Sequence, residues 1–350
     1  EPVEGSISVA GGKVALKEPT TGTETDVAGT VAAVQRWWPT QRTIKVAARS
    51  LEPKVSAQEL ARVKTEFADV AVSGPVTVKA GEKSFTLTPK AFAPAIVLAA
   101  DDSGTITPKA DAKKLSAIVS AAAKKAGAEV VAKDAVVTFS GSTPTVTPDV
   151  PGVGLDDASV QTEVWKAITT PTRTATVTTK AVAPKFTTAI AKATLPKEKI
   201  SSFTTYYPAG QPRVTNIKVA SRVLNGTYIP PGGQFSMNAI LGKRTPDKGY
   251  VKAGIISGGR AASAYGGGIS QVSTTIFNAA FFSGMELDAW TPHYYYISRY
   301  PEGREATISW PDLHNKFTNT TDGGVRMEVI ATNSSITVNF WGTKKYDVTA

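Results

Sequence analysis

Residues 266–282 read GGGISQVSTTIFNAAFF, and this stretch is the most informative part of the chain. Three consecutive glycines run directly into an apolar pattern typical of a helix. Such a junction lets the backbone approach a ligand closely and directs N–H groups at it. The sequence therefore predicts a ligand-facing loop at Gly266, Gly267 and Gly268, with a plain tight turn as the alternative.

Composition limits the class of protein. The chain has 350 residues, of which 41% are hydrophobic and 19% charged, which leaves room for two or three globular domains. Its longest apolar run, residues 91–100, is interrupted by Pro94 and is too short to span a membrane. Without cysteine, neither a disulfide nor a thiol nucleophile can form. Since the chain starts at Glu1 without a signal segment, we expect a mature extracytoplasmic part whose N-terminal anchor is missing.

The net charge of +10 indicates either a need for solubility or attraction to a polyanion. Nucleic acid is the usual polyanionic partner of a basic chain, but the sequence has no recognised nucleic-acid motif and no aromatic stacking array. We therefore expect no nucleic-acid partner.

An internal repeat organises the N-terminal part. Ile7–Gly11 resembles Val137–Gly141, and Asp26 falls where Asp156 falls. Each copy is predicted to contain a strand, a Gly/Pro-rich loop, a helix and a Thr/Val-rich strand, with the two aspartates as N-caps. The first copy is half a unit. The predicted helices cover residues 27–37 and 157–168.

Between the copies the local signals are clear. Ser56 followed by Glu59 is a capping box and starts a predicted helix. Residues 76–87 alternate as a hairpin with its turn near Gly81, and residues 111–126 form an amphipathic helix. A proline-containing charged stretch at residues 195–200 predicts a domain boundary, after which aromatic residues become more frequent.

Residues 204–348 resemble the VanW family in several ordered blocks. The glycine motif resembles the family's Gly-Gly-Gly-x-Cys-Gln-x-Ser-Thr-Thr. The other blocks are Asn216-Ile217, residues 224–226, residues 229–236, Arg244-Thr245, Gly249-Tyr250, Pro292-His293, residues 300–307, Asp312-Leu313 and residues 317–319. The preceding strands and helices resemble the peptidoglycan-binding module that often comes before VanW and L,D-transpeptidase domains.

The resemblance implies a fold and a set of domains. We expect an α+β protein, in which small α/β repeat modules precede a mostly β VanW domain with a central helix after the glycine loop. The predicted domains are a half module at residues 1–56, a complete module at 57–190, a linker at 191–203 and the VanW domain at 204–350. The final strands are predicted at residues 327–330 and 335–340.

The resemblance also implies extracytoplasmic work on bacterial peptidoglycan, by an L,D-transpeptidase-like reaction in which a cysteine thiolate attacks the stem peptide. Here Ser270 stands at the cysteine position. A thiol with a pKa of about 8.5 ionises readily, whereas a serine hydroxyl needs an aligned base. Ser270 therefore favours a binding domain without the usual catalysis. If the site is active, Ser270 would be the nucleophile and His293 its base.

Further site residues are predicted around this pair. Arg304 would hold a carboxylate in a bidentate fork, and Glu305 or Asp312 would orient His293. Gln271, Ser273 and Thr274 would shape the pocket through hydrogen bonds from the helix.

We expect a protein of the bacterial cell wall or envelope that binds peptidoglycan or another anionic wall polymer. The alternatives are an active serine-dependent transpeptidase or carboxypeptidase, and a scaffold for other cell-wall enzymes. The sequence contains no ligand cluster of the usual metal-site spacing, so we expect no metal, and we expect no cofactor.

Overall fold

The structure is a computed structural model that describes residues 1–38, 40–46, 48–257 and 260–350. Its helices are α1 (Val27–Trp37), α2 (Ala57–Val63), α3 (Asp69–Val72), α4 (Pro89–Phe92), α5 (Ala112–Lys125), α6 (Asp157–Ser159), α7 (Trp165–Thr169), α8 (Thr188–Ala193), α9 (Arg213–Leu224), α10 (Met237–Leu241) and α11 (Ile269–Phe282). A π-helical turn, Lys64–Ala68, joins α2 to α3, and another, Val160–Val164, joins α6 to α7.

The strands of the N-terminal half are β1 (Ser6–Ala10), β2 (Lys13–Lys17), β3 (Gly22–Thr25), β4 (Ala48–Leu51), β5 (Val76–Ala80), β6 (Lys83–Leu87), β7 (Ile96–Val97), β8 (Lys109–Ala110), β9 (Val136–Ser140), β10 (Thr143–Thr147), β11 (Gly152–Leu155), β12 (Thr174–Val177) and β13 (Thr179–Val182). Those of the C-terminal half are β14 (Glu198–Tyr206), β15 (Tyr228–Ile229), β16 (Gln234–Ser236), β17 (Lys252–Ser257), β18 (Arg260–Tyr265), β19 (Glu286–Ala289), β20 (Lys316–Thr318), β21 (Val325–Ala331) and β22 (Ser335–Gly342). This mixture of helices and small sheets confirms the predicted α+β class.

The chain folds into two compact units that are interleaved in sequence. One unit contains Glu1–Ala132 and Pro151–Ala183, and the other contains Lys133–Val150 and Pro184–Ala350. The predicted module at residues 57–190 therefore supplies residues to both units.

Helix caps in the first unit follow the sequence signals. The carboxylate of Asp26 accepts a hydrogen bond from the Gly29 N–H, and Asp156 caps α6 in the same way. The hydroxyl of Ser56 accepts from the Glu59 N–H at the start of α2. These bonds satisfy donors that a helix start leaves unpaired. The predicted N-caps at these three positions are confirmed.

A three-stranded sheet and α5 form the core of the first unit. The sheet has the order β12-β5-β6, with β12 parallel to β5 at one edge and the predicted hairpin β5–β6 completing it. α5 buries Leu115 and Val119 on its apolar face, in the same core as Leu87 of β6.

In the second unit, α11 packs against an antiparallel sheet of order β14-β22-β21-β15. The predicted final strands are confirmed as β21 and β22. The opening strand β14 begins at Glu198, inside the segment predicted as a linker. Its apolar alternation is weak because the buried positions Ser201 and Thr205 carry hydroxyls. Those hydroxyls bond the Ala279 carbonyl and the Thr275 hydroxyl of α11.

Helix α11 is enclosed almost completely. Every residue from Gln271 to Ala280 is buried, and α9 and β19 pack against the helix as well. Most polar side chains on a helix surrounded on all sides are hydrogen-bonded, because an unpaired polar group is costly to bury. The partners of these polar side chains therefore define the surroundings of the glycine loop.

Candidate functional site

The glycine loop is held by contacts that only glycine permits. Gly266 and Gly268 have φ angles of 83° and 96°, in the left-handed region that favours glycine. A Cβ at Gly267 would lie 2.4 Å from the Ala253 carbonyl oxygen. The loop therefore lies directly on β17, and its close approach is to protein backbone on that side.

The N–H groups of the loop are partly used internally. Gly266 donates to the Val251 carbonyl at 3.3 Å, and Gly267 donates to the Ala264 carbonyl at 3.3 Å. Among the described residues, the Gly268 N–H has no backbone acceptor. Asn216 of α9 fixes the loop because its side-chain amide donates to the Gly267 carbonyl at 2.9 Å. Of the three N–H groups, only that of Gly268 is thus without a protein acceptor in the described part of the chain.

A polar stripe on α11 bonds the segment of residues 304–308. Ser270, Thr274 and Asn278 are spaced four residues apart and share one face of the helix. The Thr274 hydroxyl exchanges hydrogen bonds with the Ala306 N–H and carbonyl, and the Asn278 amide donates to the Arg304 carbonyl at 2.8 Å.

Ser270 belongs to the same stripe. Its Oγ lies 3.0 Å from Thr307 Oγ1 and accepts a longer bond of 3.4 Å from the Ile308 N–H. Within the described ranges, no hydrogen bond joins Ser270 to His293. The hydroxyl is therefore engaged with segment 304–308 rather than with the histidine.

His293 and Glu305 form a tight pair. The His293 Nδ1 lies 2.9 Å from Glu305 Oε2, and the His293 backbone N–H donates to Oε1 at 3.1 Å. Placing the ring proton on Nδ1 satisfies this contact and leaves the lone pair on Nε2. This is the tautomer that a general base needs, and of the two acidic residues predicted to orient His293, Glu305 or Asp312, it is Glu305 that bonds it.

Tyr300 lies beside this pair. Its ring stacks on His293 with centroids 5.9 Å apart, and it is 7% exposed. Burial raises the pKa of the Tyr300 phenol to about 12, against the lowering effects of Arg299, Arg213 and a hydrogen bond with Thr274. The phenol therefore stays protonated at neutral pH and can donate a hydrogen bond.

Arg213 lies beside the glycine loop and Arg299 beside Tyr300, and neither has a carboxylate partner among the described residues. Arg213 Cβ lies 2.7 Å from the position a Cβ would take on Gly268, and Arg299 lies over the Tyr300 ring. Burial lowers the pKa of Arg213, and the charge of Arg299 lowers it further. No ion pair involving either residue occurs within the described residues. Two guanidinium groups whose charges act on each other and that lack an acidic partner attract an anion.

The structure separates some of the predicted site residues. The Arg304 guanidinium lies over Phe282, with its carbon 4.9 Å from the ring centroid, and donates to Asn278. Phe282 is twelve residues beyond Ser270, which is roughly 18 Å along a helix. Asp312 is exposed on the loop after β19, and it makes no side-chain hydrogen bond in the described part of the chain.

Gln271 and Ser273 face other parts of the fold. Gln271 donates to Thr205 and to the Tyr206 carbonyl of β14, and its Oε1 is buried with no partner in the described structure. Ser273 is held by the Asn315 amide. Both side chains therefore fix α11 to neighbouring segments by hydrogen bonds rather than line a pocket. A cleft of about 100 Å³ lies nearby, and Glu305 and Tyr300 line it together with Tyr296.

Sequence reasoning missed Arg213, Arg299, Tyr300 and Thr307. Tyr300 and Thr307 fall in a block that resembles the VanW family, and this position was the available signal. Arg213 lies 57 residues before Ser270, and no local pattern linked the two. No group of three or more metal-ligating side chains occurs within the described ranges. No helix among the described residues has the length and apolar composition that a membrane crossing requires.

Comparison with known proteins identifies the classes of domain. The family described as "VanW like protein" matches residues 212–341, and the family described as "Putative peptidoglycan binding domain" matches residues 75–175. The chain therefore contains a VanW-like domain preceded by a domain of the peptidoglycan-binding family, which confirms the resemblance read from the motifs.

Two curated proteins are similar to this chain. "Uncharacterized protein YoaR" of Bacillus subtilis is 33% identical over 123 residues, which cover 35% of this chain and 41% of that protein. "Vancomycin B-type resistance protein VanW" of Enterococcus faecalis is 30% identical over 119 residues, which cover 31% of this chain and 42% of that protein. The chain thus spans about two fifths of each relative. No solved structure matches it.

Proposed function

We propose that this is an extracytoplasmic cell-wall protein whose VanW-like domain binds the stem peptide of peptidoglycan at the loop of residues 266–268, without thiol catalysis. The peptidoglycan-binding-family domain and the two relatives support a cell-wall-associated protein with peptidoglycan as its partner. The net charge of +10 favours attraction to an anionic wall polymer.

One observation favours binding over catalysis at this site. The Ser270 hydroxyl is bonded to Thr307 and Ile308, in the same stripe as Thr274 and Asn278. A serine nucleophile needs a base within hydrogen-bond reach of its oxygen. Ser270 instead meets a second hydroxyl, which cannot accept its proton at neutral pH.

The charges near the loop fit a carboxylate ligand. Arg213 and Arg299 carry positive charge without an acidic partner among the described residues, and the Gly268 N–H is available beside them. The terminal carboxylate of a stem peptide would bind the two guanidinium groups, and a peptide carbonyl would accept from Gly268. The exposed rings of Tyr294 and Tyr296 would cover the adjoining sugar or peptide.

A second candidate function is an active serine acyl transferase, and the His293–Glu305 pair favours it. In that reaction, Ser270 Oγ attacks the carbonyl before the D-residue while His293 Nε2 takes its proton. The proton then passes to the leaving amine, and water or a second amine releases the acyl group. For this reaction the Ser270 hydroxyl would first have to give up its hydrogen bond with Thr307 and form one with His293.

Intact-protein mass spectrometry after incubation with a muropeptide that ends in a D-amino acid separates the two candidates. We expect no adduct on the natural protein or on Ser270→Ala, and retention of both by purified sacculi. An adduct on Ser270→Cys alone would show that the pocket still positions an acyl group. An adduct on the natural protein that is lost in both Ser270→Ala and His293→Ala would replace binding by catalysis. Capture of other wall enzymes without retention by sacculi would support the scaffold function instead.

A further inference from the structure

A second pocket lies in the first unit, away from the glycine loop. It has a volume of about 300 Å³, and residues of α5, β11, β13 and the start of α6 line it. Small-molecule pockets in proteins occupy about 300–1,000 Å³, so this one has room for a short polar group. Most of its walls lie within residues 75–175, the range that matches the peptidoglycan-binding family.

Residues of both charge signs line this pocket. Glu129 and Asp157 are acidic, and Lys180 is basic. Glu129 lies 3.4 Å from Lys124 and is thereby partly neutralised. Asp157 and Lys180 form no ion pair or side-chain hydrogen bond within the described residues. Both side chains are exposed to solvent, and a cleft lined by charged groups raises the local concentration of ligands that carry the opposite charges.

The backbone keeps the pocket open beside Lys180. Gly154 of β11 pairs directly with Lys180 of β13. A Cβ at Gly154 would lie 3.0 Å from Val182 Cγ2 and 3.8 Å from the Lys180 side chain, so glycine leaves this wall free. Ser116 and Ser120, four residues apart on α5, also line the pocket, and Ser120 has no side-chain partner within the described residues. Its hydroxyl can donate to or accept from a ligand.

We propose that this pocket binds the zwitterionic end of a diamino acid side chain, an ammonium and a carboxylate on one carbon, as found in peptidoglycan stem peptides. The ammonium lies between Asp157 and Glu129, and the carboxylate meets Lys180, with Ser120 as an additional hydrogen-bond partner. This assignment rests on the proposed wall-binding function for the identity of the ligand, while the pocket and its charges do not depend on the glycine loop.

The test is a titration of the full chain, labelled with ¹⁵N, with two soluble stem tripeptides. One contains meso-diaminopimelate, and the other contains lysine, which keeps the ammonium but lacks the carboxylate. We expect the diaminopimelate peptide to shift the amide signals of Ser120, Gly154 and Lys180 and to bind at least about tenfold more tightly than the lysine peptide.

Substitutions in the pocket and outside it make the assignment specific. Lys180→Gln should reduce the affinity for the diaminopimelate peptide to that for the lysine peptide, and Asp157→Asn should weaken both. Gly154→Ala, which fills the wall without removing a charge, should weaken both as well. The matched controls are Lys83→Gln and Asp102→Asn, exposed residues of the same unit outside the pocket. Equal affinities for the natural protein and Lys180→Gln, or an absence of shifts at the pocket amides, would overturn the assignment.

Retention of the same variants by purified sacculi separates this inference from the proposed function. If the natural protein and Lys180→Gln are retained equally and the pocket amides do not shift, the assignment of the pocket fails and wall binding stands. If the tripeptide shifts the pocket amides but sacculi do not retain the protein, the pocket assignment stands and the proposed function fails.

Discussion

Thr274 and Ala306 are joined by two reciprocal hydrogen bonds, in which the threonine hydroxyl accepts from the Ala306 N–H at 3.1 Å and contacts its carbonyl at 3.2 Å. Both residues are fully buried. The backbone of Ala306 is therefore hydrogen-bonded by a side chain of α11 and not by a neighbouring strand. The same two bonds fix segment 304–308 to α11.

Replacing Thr274 by valine should destabilise the second unit strongly. Valine keeps the shape but leaves two buried backbone groups of Ala306 unpaired, which costs about 1–3 kcal/mol. The measurement is the free energy of unfolding of the second unit, from its transition in urea. Thr318→Val is the matched control, because Thr318 bonds Asp288 at an exposed position and should change stability by less than about 0.5 kcal/mol. Equal losses for both variants would contradict this account of segment 304–308.

Alanine at Gly267 should also destabilise the second unit. The added methyl group would lie 2.4 Å from the Ala253 carbonyl oxygen and 2.8 Å from the Gly254 carbonyl oxygen, so β17 and the loop must separate. Forcing a group into a packed site typically costs about 1–3 kcal/mol. Gly254→Ala is the control, because its methyl group would meet only Arg213 Nη2, at 4.0 Å. A lower melting temperature for Gly254→Ala than for Gly267→Ala would show that the loop does not depend on this contact.

Tyr300 should make the free energy of unfolding depend on pH in the alkaline range. Its folded-state pKa of about 12 exceeds the ordinary value of 10.0, so the folded protein retains the phenol proton longer than the unfolded chain does. The resulting stabilisation is fully present below pH 10 and is lost as the pH rises towards about 12. Chemical unfolding of the natural protein and Tyr300→Phe across this range should show a steeper decline for the natural protein. Parallel curves would place the Tyr300 pKa near its ordinary value.

Arg213 and Arg299 should contribute to carboxylate binding more than Arg304 does. Arg213→Gln and Arg299→Gln should each weaken binding of a stem peptide with a free terminal carboxylate by about tenfold, which corresponds to about 1.4 kcal/mol. Arg304→Gln is the matched control, because its guanidinium packs on Phe282 and bonds Asn278. Isothermal titration measures the three affinities. A larger loss of affinity for Arg304→Gln would show that Arg304, as predicted from the sequence, binds the carboxylate.

Local chemistry made much of the fold predictable. The caps at Asp26, Ser56 and Asp156 and the hairpin β5–β6 follow from residues that are neighbours in sequence. The glycine loop and α11 were predictable for the same reason, because three glycines followed by an apolar period specify a turn and a buried helix.

The remaining features depend on contacts between distant parts of the chain. β14 was missed because its buried residues Ser201 and Thr205 are polar, and their partners on α11 lie 70 or more residues away. The pair of His293 and Glu305 was proposed from triad logic, and the structure brings the two together. The position of Arg304 could not be read from its neighbours, because a guanidinium that packs on aromatic rings has the same local sequence as one that faces a ligand.

The hairpin β9–β10 belongs to the second unit although the chain returns to the first unit after it. The ring of Phe139 in this hairpin lies 6.2 Å from that of Tyr228, which also contacts Phe186. A fragment that starts at residue 184 or 204 would lack this hairpin and expose the apolar surface it covers. Because synthesis proceeds from the N-terminus, the hairpin is made before the residues it packs against. Its apolar side therefore stays uncovered until those residues have been synthesised. Dissection of this protein into independent fragments therefore requires residues 133–150 to be kept with the C-terminal part.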